Sequence, residues 1–222
     1  MTLYDDKKEK CAVCRKDSTF MVLTSTNSFG SPDLDLRPAG QERRSIIFRL
    51  QECKYCGYVN TSIGKLKANS EKTMSEPAFI DIQNEKIRIQ SFKTFFKASL
   101  FAENANELGQ AAYYSLCSAW FSDDRNNVAY SDLGRTRALQ LFQRQLAEHN
   151  LSEEDALNVK IQMIDLSRRI ADWQLAKKLA NEVLDRTTNE TIKTVARIQL
   201  SLIERRSTDV HTIEQAGALD EE

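Results

Sequence analysis

Cys11-Ala-Val-Cys14 and Cys53-Lys-Tyr-Cys56-Gly57, separated by 38 residues, decide how this chain is to be read. Each Cys-x-x-Cys turn presents two sulfurs from one knuckle, whose backbone N–H groups can hydrogen-bond the thiolates. Two knuckles complete a closed tetrahedral shell. The pattern predicts one structural Zn2+ per chain held by Cys11, Cys14, Cys53 and Cys56, with a redox dithiol or an iron–sulfur cluster as the alternatives. A catalytic zinc needs an open coordination position. Four cysteines leave none, and neither His149 nor His211 lies near the knuckles in sequence. Gly57 follows the second knuckle, where a positive φ is often required, and Arg15 holds the equivalent place after the first.

Working outward, Ser18–Thr24 (STFMVLT) and Ser45–Gln51 (SIIFRLQ) are rich in β-branched and aromatic residues and read as two strands, one leaving the first knuckle and one entering the second. Between them SFGSPDLDLRPAG, with Gly and Pro at both ends, reads as an ordered surface loop or wide turn. Residues 1–65 thus form a small β module that relies on its metal for much of its folding free energy, on the order of 10 kcal/mol. Residues 66–78 read as a polar linker, 79–206 as an α-helical domain and 207–222 as an acidic, disordered tail. The fold class is α+β.

In the helical domain, Phe101, Ala105, Leu108, Ala112, Ser115, Ala119 and Trp120 recur at helical spacing, as do Ala138, Phe142 and Leu146. Ala156, Val159, Met163, Leu166 and Ile170 form one stripe, with Leu157, Ile161 and Ile164 beside it. A helix with two adjacent stripes must be covered on two sides, as the inner helices of a solenoid are. Breaks fall at Ser122–Asn127, His149–Ser152 and Thr187–Asn189, giving about five helices. Ser152 and Asp155 approximate an N-cap. The Ala138-to-Ala176 spacing is close to the tetratricopeptide period.

The net charge of −1 averages three unlike segments. Residues 1–70 carry 12 basic and 8 acidic side chains, 71–206 carry 19 of each, and 207–222 carry 5 acids and no base. The basic excess falls short of the dense stripe of a duplex-DNA binder. The charged start MTLYDDKKEKC has no apolar signal-peptide core, and the greasiest window, Phe92–Phe101, is broken by Lys93 and Lys97. These features place the protein in the cytoplasm and away from membranes. A reducing compartment favours metal binding over disulfides for paired Cys-x-x-Cys motifs.

CAVC, then GSPDLDLRP and ECKYCGY, then ENANELGQAAYYSLCSAWFSDDRNN with an Arg-rich helix behind it, together resemble a bacterial family of unknown function. That family joins an N-terminal four-cysteine zinc-ribbon-like module to C-terminal tetratricopeptide-like helices. The resemblance spans residues 11–150 and rests on the order of the parts. It implies this architecture and zinc at the four cysteines, and no reaction. The chain departs from a strong tetratricopeptide match by lacking a Gly before Asp172-Trp173 and by carrying Thr188 where a Pro often ends the repeat.

Several further constellations have a plain structural reading beside a functional one. Asp33, Asp35 and Arg37 suit a polar site beside the zinc, but turn and loop-anchoring hydrogen bonds account for them more simply. Arg43, Arg44, Arg49, Lys54, Lys65 and Lys67, near Tyr55 and Tyr58, suit a surface for single-stranded nucleic acid, against an ordinary solvated face with the rings packed inward. Asp123 and Asp124 fall at a helix end, and Cys117 reads as a small core residue. No Gly-rich phosphate loop, HExxH helix, nucleophile elbow or Rossmann fingerprint is present, so nothing argues for an enzyme. The leading reading is a zinc-stabilised adaptor with protein partners. The alternatives are a nucleic-acid-associated zinc protein and, more weakly, an enzyme with a site between ribbon and helices. The sequence fixes no oligomeric state.

Overall fold

The computed structural model describes residues 2–220, with side chains described through residue 217. It has the expected α+β composition: strands and the cysteine module first, helices after. The chain divides into two compact units, the first made of residues 1–29 and 40–134, the second of residues 30–39 and 135–222.

In the first unit, β1 (Leu3–Lys10) pairs antiparallel with β2 (Asp17–Ser25), and the turn between them is the first Cys-x-x-Cys knuckle. β1 carries no strand signal of its own, because LYDDKKEK is charged and poor in β-formers. Its strand conformation is imposed by the knuckle at its end and by β2 alongside. The strand predicted over 45–51 is absent. Instead α1 (Gly40–Ser45) runs into a 3-10 turn (Ile46–Arg49), and only β3 (Gln51–Glu52) is extended, pairing with β4 (Val59–Asn60) around the second knuckle. The apparent alternation misleads here: Ile46 and Leu50, a helical step apart, are buried, while Ile47 is exposed.

The predicted linker over 66–78 is also structured. It contains α2 (Ser70–Ser75), and α3 (Pro77–Asn84) begins at Pro77, a residue suited to the first helical position. Tyr58 is wholly buried, stands edge-on to Phe101 with ring centroids 5.0 Å apart, and donates its hydroxyl to the Lys65 carbonyl at 2.7 Å. Phe101 lies on α4 (Gln90–Asn104), so the cysteine module shares a core with the helices behind it and has no boundary at residue 65. The continuous stripe predicted over 101–120 is two helices, α4 and α5 (Leu108–Asp123), broken at Asn106 with φ 61°.

α6 (Val128–Glu148) contributes residues 128–134 to the first unit and 135–148 to the second. In the second unit α7 (Glu153–Arg169), α8 (Trp173–Arg186) and α9 (Glu190–Glu204) follow, and α7 packs on both of the others. This meets the demand of its two stripes: Leu157, Val159, Ile161, Met163, Ile164 and Leu166 are all buried. The Ser152 hydroxyl caps α7 by accepting from the Asp155 N–H at 3.1 Å, as its sequence suggests. Seven helices run from Pro77 to Glu204, against the five expected, because short turns at Asn106 and Glu85–Ile89 carry no strong breaker.

The loop over residues 30–39 belongs to the second unit and is no surface feature. Asp33, Leu34, Asp35 and Arg37 are all buried. The Leu34 N–H donates to the His211 carbonyl at 3.0 Å, and the Ile213 N–H donates to the Pro32 carbonyl at 2.9 Å. The chain at 207–209 is held in turn by Arg168, whose Nη1 donates to the Ser207 carbonyl at 2.7 Å and the Asp209 carbonyl at 3.0 Å. Asp165 and Gln199 complete this buried network on the other guanidinium nitrogens. The tail expected to be disordered from 207 is therefore ordered over its first part and enters α10 (Ile213–Asp220); residues 221–222 lie outside the described residues. No helix among the described residues is long and apolar enough to cross a membrane.

Four helices end the same way. In α4, α5, α7 and α9 a left-handed residue (Asn106, Asn126, Ala171, Arg206) closes the paired carbonyl bonds of a Schellman turn, as in Ala171 N–H to Arg168 O at 3.0 Å and Asp172 N–H to Ser167 O at 2.8 Å. Asn tolerates this conformation; Ala does not do so readily. Ala171 occupies the position before Asp172-Trp173 where the sequence lacks its Gly. Ala171→Gly is expected to stabilise the second unit by about 0.5–1 kcal/mol, the relief of left-handed strain less the added freedom of the unfolded chain. Gly134→Ala should do the reverse in the first unit, by about 1–3 kcal/mol, because its Cβ would stand 2.9 Å from the Ala119 nitrogen and the Ser115 carbonyl. Urea-unfolding midpoints of both variants check the two signs.

Candidate metal centre

Both knuckles are built to one backbone plan. After Cys11-Ala-Val-Cys14 the chain enters a left-handed conformation at Arg15 (φ 62°); after Cys53-Lys-Tyr-Cys56 it does so at Gly57 (φ 76°). The Arg15 N–H donates to the Cys11 carbonyl at 3.0 Å and the Cys11 N–H to the Lys16 carbonyl at 3.0 Å. The Gly57 N–H donates to the Cys53 carbonyl at 2.8 Å and the Cys53 N–H to the Tyr58 carbonyl at 2.8 Å. The spacing thus produces two superimposable turns, one with its preferred glycine and one without.

The turns bring four sulfurs together. All four lie within 4.8 Å of one another, with Cys11 Sγ 3.7 Å from Cys56 Sγ and Cys14 Sγ 3.5 Å from Cys53 Sγ. None is in a disulfide. Sulfurs about 2.3 Å from a central ion at tetrahedral angles would stand about 3.8 Å apart, close to what is seen. Four cysteines are therefore arranged to hold a metal ion, and the donor set fits a thiophilic one.

The electrostatics of the cluster point the same way. Burial raises the Cys11 thiol despite the amides of Val13 and Cys14 that face its sulfur. Cys56 is pushed well up by burial and then by the other three thiols. Cys14 goes the other way: burial opposes ionisation, but the Lys16 amide and the neighbouring sulfurs hold it at about 7. Four thiols this close cannot all ionise against one another in water-poor surroundings, and a central cation removes that conflict.

The second knuckle is gripped from the helices. Glu52, immediately before Cys53, pairs with Lys97 of α4 and accepts from the Thr94 hydroxyl and from Gln90 Nε2 at 3.3 Å. On the other side, Gln83 of α3 stands so close to Gly57 that an added Cβ would lie 2.7 Å from its Oε1. Lys97, Glu52 and Gln83 were not among the residues singled out from the sequence. The available signal was Lys97 itself, a charge inside the most apolar run of the chain.

The other candidates separate. Asp33, Asp35 and Arg37 fall in the second unit, and the cysteines in the first. There the Arg37 N–H donates to Asp35 Oδ1 at 3.2 Å and the Asp33 N–H to the Arg37 carbonyl at 3.0 Å, the loop-anchoring role. The basic set is also dispersed in function: Arg49 pairs with Glu42, Lys67 with Glu107, and Tyr58 is buried. Tyr55 remains half exposed, with Lys16 Nζ 4.7 Å and Lys54 Nζ 5.1 Å from its ring centroid. Cys117 is buried within α5, as its surroundings suggest. Asp123 and Asp124 close the end of α5.

Gly57→Ala should reduce metal retention and lower the unfolding midpoint of the first unit, since it meets both a positive φ and the Gln83 amide. Arg15→Gly should retain full metal and raise that midpoint by about 0.5–1 kcal/mol equivalent. Elemental analysis and urea titration of the two variants read both effects.

No curated protein and no solved structure matches the chain. A family model described as an uncharacterized protein conserved in bacteria (DUF2225) matches residues 3–203, beyond the 11–150 over which the motifs resemble such a family. With that match running through both units and the cysteine cluster, the chain belongs to this bacterial family.

Proposed function

We propose that the protein is a zinc-stabilised interaction module in which Cys11, Cys14, Cys53 and Cys56 bind one structural Zn2+, and that it acts through protein partners without catalysis of its own. The observation that carries the zinc reading is the closed set of four sulfurs within 4.8 Å of one another. Soft thiolates in a four-coordinate shell suit zinc, and the shell leaves no position for a substrate or water. A reducing cytoplasm keeps such thiols available.

Support for a partner surface comes from the open end of the β1–β2 hairpin. Leu3, Tyr4 and Met21 are exposed there, and Tyr4 stands edge-on to Phe48 with centroids 4.7 Å apart beside exposed Ile47. Large apolar side chains left in solvent near one another suit protein contact. The stacking of α7 on α8 and of α8 on α9 supports a helical-repeat scaffold of the kind that presents extended binding surfaces.

One observation favours the nucleic-acid reading as a second choice: Lys16 and Lys54 flank the exposed Tyr55 ring at the tip formed by the two knuckles. Salt separates the readings. Binding through phosphates weakens steeply between low and physiological salt, whereas an apolar protein contact changes little.

Protein purified without added metal is expected to carry one zinc per chain, and the Cys53→Ser, Cys56→Ser double variant none. Metal-free, fully folded wild type would overturn the zinc reading. If residues 1–65 folded as a separate metal-dependent module, chelation would unfold them and leave most of the helical signal intact. Because Tyr58 and Glu52 lie against α4, hydrogen exchange after chelation should instead rise across the hairpin, α3 and α4, while α7–α9 keep their protection.

A further inference from the structure

Lys97 is the most unusual charge in the first unit. Its side chain is 0% exposed, on the face of α4 that also carries Gln90, Thr94 and Phe101. A buried ammonium persists only where fixed partners replace water. Lys97 has two, and they sit on opposite flanks of the second knuckle. Its Nζ pairs with Glu52, the residue before Cys53, and donates to Gln83 Oε1 at 2.7 Å, the atom that lies over Gly57 just after Cys56.

The charge balance adds a second argument. Lys97 and Glu52 cancel one another, so the pair alone needs nothing more. Four thiolates around a divalent cation carry a net charge of −2, however, and this sits next to the pair. Burial lowers the Lys97 pKa, Glu52 raises it, and the Cys56 sulfur also acts to keep it charged. Lys93, the nearest other cation on α4, is turned away to the Gln83 and Glu85 carbonyls at 2.6 and 3.2 Å. Lys97 is therefore a buried cation placed to answer the charge of the filled centre, unlike Lys16 and Lys54, which lie over the half-exposed Tyr55 ring.

We propose that Lys97 is a positioning residue of the metal centre, fixing both flanks of the Cys53–Cys56 knuckle and supplying the positive charge that offsets a divalent ion bound by four thiolates. This rests on the four-thiolate zinc reading given above. It gives α4 a role in metal affinity although none of its residues is a ligand. It also makes metal binding and the docking of α4 two sides of one equilibrium: each strengthens the other by the same factor.

The test uses the full chain and Zn2+ in competition with a chromophoric chelator. Lys97→Met keeps the length of the side chain and removes its charge, and should weaken zinc binding 10- to 100-fold. Glu52→Gln breaks the same ion pair but leaves Lys97 charged and without its anion in the metal-free protein. The filled centre then supplies the missing negative charge, so affinity should stay within threefold of wild type or tighten. A purely structural ion pair predicts that both variants weaken binding alike, and that result would overturn the proposal. So would a Lys97→Met protein that binds zinc as wild type does. If Lys97→Met fails to fold, Glu52→Gln decides alone: a tenfold or greater loss rejects the role. With Co2+ in place of zinc, Lys97→Met should also move the sulfur-to-cobalt charge-transfer band to longer wavelength, because a nearby positive charge no longer stabilises the sulfur electrons. An unmoved band rejects the charge contribution. Wild type that takes up neither metal would instead reject the four-thiolate reading, a distinct failure.

Discussion

Four sulfurs drawn to within 4.8 Å of one another set the terms for the whole first unit. Without a shared cation this is an unfavourable arrangement, a cluster of partly buried thiols whose ionisations oppose each other. With one it becomes the closure that joins two otherwise weak pieces of β structure. A lone two-stranded hairpin is marginal in water, and β1 has almost no buried side chains of its own. The two-residue pairing of β3 with β4 is weaker still. Each is completed by a knuckle, and the knuckles are completed by one another.

That closure extends into the helices by ordinary packing. Tyr58, two residues beyond Cys56, is buried against Phe101, which also stands edge-on to Phe79 at 5.5 Å. Glu52 and Gln83 hold the turn from both sides through Lys97. The metal module is thus one wall of a helical core, which is why its small apolar content is no obstacle to folding.

The sequence revealed the parts that depend on local chemistry and concealed those that depend on distant partners. The four cysteines, the caps at Ser152 and the double stripe of α7 could all be read directly, since knuckle spacing, capping and periodicity are local. Even the missing glycine before Asp172 marked a real left-handed turn at Ala171. β1 could not be seen, because its residues are charged and only the pairing with β2, set by the knuckle that follows, makes them a strand. The run SIIFRLQ looked extended because apolar residues fell at alternate positions, yet Ile46 and Leu50 are buried a helical turn apart. Asp33, Asp35 and Arg37 looked like solvent-facing loop chemistry; their burial depends on His211 and Ile213, almost two hundred residues on.

That last pairing bears on how the chain is made. Residues 30–39 leave the ribosome well before residues 211–213, which carry the backbone groups they bind. During synthesis a buried-type segment carrying two aspartates and an arginine must wait, bracketed by the two knuckles, until residues 211–213 have been made. Neither unit is a continuous stretch of sequence, so the second cannot reach its final form by sequential, domain-by-domain folding. Closing the metal centre early would hold residues 14 and 53, on either side of this segment, together while it waits, shortening the search for its late partner.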